Sequence, residues 1–352
     1  ALEIFGEELQ RQSARNALSL LEGERCAPLR IPFWSWADKY QVIAAEIELT
    51  ASDNSDGGVF FSWPLVADHM RLAVATISDR WLQIRTPCPP INQIPAFHQA
   101  RRRVYLTATL SDDGVLVTEL GADALSVRRP ITPERATDLG DRLILAPKAL
   151  NPNVIDDTIR KLAWEFSTGD RDADGVVDSE PVNVVVLVPS DAAAANWAPY
   201  TQTVLHVTDM KSVVDRMSDG EHLGLVVLVN KYDGVDLPHG ACRLLVVDGI
   251  PTPLDPGEQR EAGALAGSES FRIRKVQRLE QGMGRGIRDA EDHCAVVLLG
   301  SELALSLVDA ADLAHFSPAT RAQITLSQAV AEQIKGEGLG TVREALHMFL
   351  ER

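Results

Sequence analysis

Four short runs constrain this chain more than anything else in it. Residues 184–188 read VVVLV, 225–229 LVVLV, 243–247 RLLVV and 295–299 AVVLL. Apart from Arg243 these runs are apolar and rich in valine, and they do not alternate with polar residues as a strand with one wet face would. Such strands are buried on both faces and belong to a parallel sheet with helices on each side. Between them lie helix patterns at 191–198 and 212–217 and another strand pattern at 203–207. Strand and helix in alternation predict an α/β domain built on a parallel sheet. In such sheets ligands gather where strands end, at their carboxyl termini.

The last run is preceded by QRLEQGMGRGIRDAEDHC, residues 277–294. If this stretch is helical, Gln281, Arg285 and Arg288 stand at offsets of four and three and leave it on one face. Gly282, Gly284 and Gly286 thin the same turns, so a ligand or a neighbouring backbone can come close. Glycine costs about 1 kcal/mol relative to alanine inside a helix, which an ordinary surface helix has no reason to bear. Guanidinium is always charged and binds phosphate oxygens in pairs, so two arginines held this way suit a polyphosphate. A Gly/Arg-rich turn that only makes surface salt bridges is the simpler alternative.

Three other strings carry chemistry. Residues 230–238, NKYDGVDLP, follow the 225–229 strand and place Asp233, Gly234 and Asp236 at its carboxyl end. An Asp-Gly turn accounts for Asp233 and Gly234 but not for the whole string. Val104-Tyr105-Leu106 reads as a short buried strand running into Thr107-Ala108-Thr109, whose hydroxyls either bond locally or relay contacts. Ser190, just after the 184–188 strand, caps the next helix or, with the free N–H groups there, holds a phosphate. Asp191 would repel that phosphate.

Taken in order, these strings resemble motifs of superfamily 2 helicases, most closely the XPD/DinG-like branch. Thr107-Ala108-Thr109 is similar to the third motif, the strand end at Ser190 to the fourth, 230–238 to the fifth and Gln281–Arg288 (QxxGRxxR) to the sixth. The resemblance implies a complete second RecA-like domain, preceded by part of a first one with a mainly helical, arch-like insertion. Its boundaries would be 1–127 for the partial first domain, 128–155 for a linker, 156–310 for the second domain and 311–352 for a helical extension. It further implies an ATP-dependent helicase acting on nucleic acid, single-stranded DNA above all. Arg285 and Arg288 would be arginine fingers and Gln281 would orient the γ-phosphate or water. Gly234, Asp236 and Gly284 would line the nucleotide, Ser190 and Lys231 would touch the strand, and Thr107, Ala108 and Thr109 would couple the two events. ATP and Mg2+ would be held mainly by a phosphate loop and acidic box, and neither string occurs in these residues. Starting at Ala1, the chain reads as part of a longer protein. By itself it is expected not to hydrolyse ATP. The contrasting possibility is an ATPase-dead binding or regulatory module that kept the RecA-like fold.

Composition narrows the partners. A net charge of −16 argues against coating nucleic acid through bulk positive charge, though not against a narrow basic track. Arg101, Arg102 and Arg103 form the densest basic cluster, either a solvated strand entrance or a phosphate contact. Cys26, Cys88, Cys242 and Cys294 are scattered without a CxxC pair. They suggest a reducing cytoplasm and no zinc site or disulfide framework. Nor does their spacing match the iron–sulfur cluster that XPD-type helicases often carry. Asp170, Asp172, Asp174, Gly175 and Asp178 imitate a calcium loop, but Pro181 stands where the bidentate glutamate belongs, so a solvated acidic loop is expected. No apolar run approaches the ~20 residues that span a bilayer. Near the start, Ser62 is expected to cap a helix over 63–77.

Overall fold

The computed structural model describes residues 1–351 except 25, 54–57, 80, 88–89, 107–113, 132–139, 170–179, 233, 251–252 and 254. The Thr107–Thr109 string, Asp233 and the calcium-like loop therefore lie outside the described residues. The chain divides into two compact units, Ala1–Ile131 with Pro253–Ala266, and Thr132–Thr252 with Gly267–Arg352.

The first unit is largely helical. Its helices Leu2–Gln12, Ala14–Leu21, Phe33–Asp53 and Gly58–Val66 accompany a small antiparallel sheet of β1 (Leu29–Arg30), β2 (Val74–Ile77) and β3 (Leu82–Arg85). Phe5, Leu9, Trp36 and Met70 are completely buried, and the Trp36 indole donates to the Met70 carbonyl at 2.6 Å. The Pro256–Leu265 helix belongs here too. The Gly257 amide donates to Gln83 Oε1 at 2.7 Å and Arg260 to the Pro28 carbonyl at 3.1 Å.

Two local expectations fail in this unit. Ser62 caps nothing, because the helix starts at Gly58 and the Ser62 hydroxyl donates back to the Gly58 carbonyl. Residues 74–77 are a strand, because β3 pairs with them along their whole length. Val104 and Leu106 are exposed and lie in no strand, since no described strand lies alongside to pair with them.

The second unit is built on a six-stranded sheet in the order β4-β9-β8-β5-β7-β6, with every pairing parallel. Its strands are β4 (Asp141–Leu145), β5 (Val184–Val188), β6 (Val204–Leu205), β7 (Leu225–Val229), β8 (Leu244–Asp248) and β9 (His293–Leu299). The unbroken apolar runs become its central strands. Alternate residues serve opposite cores: Val185 and Leu187 pack with Met217, Val276 and Leu279, while Val184, Val186 and Val188 pack with Ile159, Phe166 and Trp197. Each such side chain contributes about 1.5–3 kcal/mol by leaving water, so a charge anywhere in β5 would break the layer. The expected α/β domain on a parallel sheet, covered on both faces, is present.

Edge strand β4 falls inside the stretch read as a linker. Its pattern is hidden by Arg142, which is buried where an apolar residue would be expected. That guanidinium donates to Gln323 and, at 3.0 Å, to the Thr320 hydroxyl, both on the Pro318–Gln333 helix. This helix packs along β4, and the Leu339–Leu350 helix along β9. Ser317 caps the first of them through the Thr320 amide, with Pro318 at its tolerant first position. Among the described residues no helix is long and apolar enough to cross a membrane.

Candidate functional site

Strands β7 and β8 are parallel, so the chain must travel from the carboxyl edge of the sheet back to the amino edge to join them. Residues 230–243 make that crossing without a long helix, and this decides where the candidate residues fall. The segment starts at the carboxyl edge, where the Asn230 amide donates to the Val188 carbonyl at 2.7 Å. Asn230 adopts φ 50° and Gly234 φ 67°, both left-handed; glycine makes the second turn without strain. Tyr232 folds inward, and its hydroxyl donates to the Gly249 carbonyl at 3.0 Å. Burial, and after it the nearby Asp248 carboxylate, push this phenol well above its ordinary range.

The Glu269–Met283 helix runs beside this crossing and stops sooner than the spacing predicts. Ser268 caps its start by accepting from the Phe271 amide. After Met283 comes a single 3-10 turn, Gly284–Gly286, and Ile287 is extended. Arg288 is therefore off the helix, and the common face expected for Gln281, Arg285 and Arg288 does not extend to it. The glycines around this end are not equivalent. A Cβ on Gly282 would stand 2.9 Å from Tyr232 Cδ1, and one on Gly286 2.4 Å from Cys294 Sγ, whereas one on Gly284 would meet nothing within 4 Å. Two of the three thus admit neighbouring side chains, and only Gly284 opens outward.

The two arginines are held differently. Arg285 Nε lies 3.1 Å from the carbonyls of both Tyr232 and Gln281, and its Nη1 donates to the Val235 carbonyl at 3.3 Å. The Leu237 amide returns a bond to the Arg285 carbonyl at 3.2 Å. Arg285 thus knits the crossing to the end of the helix. Arg288 is more exposed, and its Nη1 pairs with Asp236.

Beneath this pair lies Asp292, which the sequence reading missed. Its carboxylate is completely buried and ion-paired to Arg243 at 3.0 Å. Asp292 immediately precedes β9 and its carbonyl accepts from the Asp141 amide, so this cluster sits at the amino edge of the sheet. The expectation that Asp236 lies at a carboxyl end is corrected accordingly: the crossing carries it away.

Ser190 and Lys231 remain at the carboxyl edge. Ser190 caps the Asp191–Ala194 helix by accepting from the Ala193 amide at 3.3 Å. Lys231 reaches over Gly234, its Nζ 3.2 Å from where a Cβ would stand. Near them Asp248 accepts from Trp197 Nε1 at 2.8 Å and from Arg160 at 3.2 Å. Burial raises its carboxyl above the ordinary range, against the lowering pull of Arg160. Gly234, assigned to the nucleotide, thus lies beside Lys231, assigned to the strand, while the Arg288–Asp236 pair stands by the Asp292 turn that precedes β9.

Asp292 offered no periodic signal. It lies four residues past Arg288 in a loop, and two of its partners, Arg243 and His239, come from 49 and 53 residues away. The cluster gathers the guanidinium groups of Arg243, Arg285 and Arg288 beside an outward-opening glycine turn, with Arg243 and Arg288 paired to Asp292 and Asp236. Among the described residues no group of three or more His, Cys, Asp or Glu side chains is placed to hold a metal ion.

Residues 176–308 match the family model described as the helicase C-terminal domain. The resemblance drawn from the strings at 230–238 and 281–288 is borne out over that stretch. No curated protein sequence matches the chain. Among solved structures, one described as XPD helicase shares 16% identity at a TM-score of 0.46, covering 88% of this chain and 60% of that one. Another, described as XPD apo, shares 15% identity at a TM-score of 0.41, covering 85% and 66%. The chain therefore spans less than two thirds of the length of either.

Proposed function

We propose that this chain is the C-terminal motor portion of an ATP-dependent nucleic-acid helicase or translocase, carrying the end of its first lobe and the whole of its second. The observation that carries the reading is the meeting of Arg288 with Asp236, within the stretch that matches the helicase C-terminal domain. Two strings separated by some fifty residues of sequence come together at one edge. In this reading ATP is the substrate, and its triphosphate and Mg2+ are held by a lobe carrying the phosphate loop and acidic box.

Phosphoryl transfer asks mainly for charge stabilisation around the γ-phosphate. Arg288, exposed and attached to a loop, is the group to leave Asp236 and reach that phosphate as an arginine finger. Such a finger is worth roughly 10³ to 10⁵ in rate. Arg285 shares the cationic field, but with its guanidinium on the Tyr232, Gln281 and Val235 carbonyls it mainly fixes the loop that carries Asp236. Gln281 orients the γ-phosphate or water, and Gly234, Asp236 and Gly284 line the nucleotide. At the carboxyl edge Ser190 and Lys231 contact the nucleic-acid backbone, preferably of single-stranded DNA. Thr107, Ala108 and Thr109 couple the two events.

The test uses the intact protein. Arg288→Ala should abolish ATP hydrolysis stimulated by single-stranded DNA while leaving ATP binding nearly unchanged. Undiminished turnover in that variant would remove Arg288 from the mechanism. An intact wild-type protein without ATPase activity would reject the motor reading.

A further inference from the structure

Asp292 is buried at 0% side-chain exposure, and the reaction outlined above makes no direct use of it. Its surroundings explain why the residue must be an aspartate. Oδ1 accepts from the His293 amide at 2.9 Å and from Arg243 Nη1 at 3.0 Å. Oδ2 accepts from the His239 amide at 2.9 Å and from the Arg288 amide at 3.2 Å. Four donors converge on two oxygens, which fills the acceptor capacity of a carboxylate. Asparagine offers one oxygen and would aim an NH2 group at two of those donors. Glutamate would carry the same oxygens one methylene too far.

The donors come from the two segments that matter. His239 closes the 230–238 string and is held at φ 50°, an uncommon conformation for a residue with a side chain. Arg288 is the group assigned to the phosphate. One carboxylate oxygen therefore binds the backbone at the end of the Asp236 loop and the backbone of Arg288 itself. Arg243 neutralises the buried charge and bonds the His293 carbonyl at 2.8 Å, tying the clamp to β9. Gly140 is packed against the same turn, where a Cβ would stand 2.1 Å from the Asp292 carbonyl oxygen.

We infer that Asp292 is a positioning residue that sets where Arg288 stands relative to Asp236, and through that the alignment of the arginine finger. The inference rests on the motor reading of Arg288. It acts on the backbone, so the Arg288 side chain stays free to exchange Asp236 for a phosphate while its Cα is fixed. A misplacement of 1 Å at a reacting centre can cost about 10²-fold in rate, and that is the loss expected when the clamp is opened.

Two measurements on Asp292→Asn separate the possibilities. By hydrogen exchange in the present chain, the amides of Arg288 and His239 should exchange faster while those of β5 and β7 keep their protection. In the intact protein, DNA-stimulated turnover should fall about 10²-fold with KM for ATP little changed, and the substitution should add nothing in an Arg288→Ala background. Faster exchange throughout the sheet, or a further loss in the Arg288→Ala background, would make Asp292 a general stabilising residue and overturn the inference. Local exchange with undiminished turnover would overturn it while leaving the motor reading intact. Absence of turnover in the wild type would remove both. Where Asp292→Asn does not fold, Arg243→Gln, which removes the neutralising cation but keeps the carboxylate, should give the same local pattern with a smaller loss of turnover. Arg243→Gln with neither effect would overturn the inference.

Discussion

The Tyr232 hydroxyl donates to the Gly249 carbonyl at 3.0 Å, joining the segment after β7 to the end of β8 across the strand between them. Burial keeps the phenol protonated, so it stays a donor wherever the fold survives. Tyr232→Phe should therefore lower stability by about 1 kcal/mol, the usual net worth of such a bond. Chemical unfolding of the two proteins would show it, and identical midpoints would mean that the Gly249 carbonyl finds another donor.

Two glycines in one turn should respond in opposite directions. Gly282→Ala drives a methyl to 2.9 Å from the Tyr232 ring and should cost about 1–3 kcal/mol. Gly284 has φ −78° and open space where its Cβ would lie, so Gly284→Ala should raise stability by about 0.4–1 kcal/mol. If Gly284 lines the nucleotide as proposed, the same Gly284→Ala should also reduce ATP turnover in the intact protein, because the added methyl would occupy the space open beside that turn. Thermal unfolding beside a turnover assay would expose the contrast.

The two arginines should separate by stability as well. Arg285→Ala strips a donor from three carbonyls and should cost about 1–3 kcal/mol. Arg288→Ala removes an exposed pair, its partners 57% and 65% exposed, and should change stability by less than about 1 kcal/mol. Urea titration of each variant decides this. Equal losses would mean that the Arg288–Asp236 pair holds the fold as firmly as Arg285 does.

Acid should weaken the first unit through Glu8. Lys39 Nζ and the Ser35 hydroxyl, each 2.8 Å from its Oε1, lower this carboxyl from 4.5 to about 2. A carboxyl lowered by folding adds stability that is fully present above its unfolded value of 4.5, and that stability is lost as pH falls towards 2. Melting temperature measured between those limits should fall more steeply in the wild type than in Glu8→Gln. Parallel curves would show that Glu8 carries none of the acid sensitivity.

What the order of residues determined by itself is the sheet. Unbroken apolar runs such as Val184–Val188 can satisfy burial on both faces only between helices, so β5, β7, β8 and β9 were legible from composition and length. The strings at 230–238 and 281–288 were legible too, because spacing along a chain needs no partner to be seen. Tertiary structure decided the rest. β4 was hidden because Arg142 finds its partners 178 and 181 residues away, and no local pattern announces that a buried charge will be met. The helix bearing Gln281 ends at Met283, and around that end Gly282 lies against Tyr232 of the crossing and Gly286 against Cys294 of β9, contacts that spacing along the chain does not show. Asp236 and Arg288 share the amino edge because a β7-to-β8 crossover has to travel there. Periodicity reports which side of a segment leaves water; where a charge comes to rest depends on donors and acceptors that only the folded chain brings within 3 Å of one another.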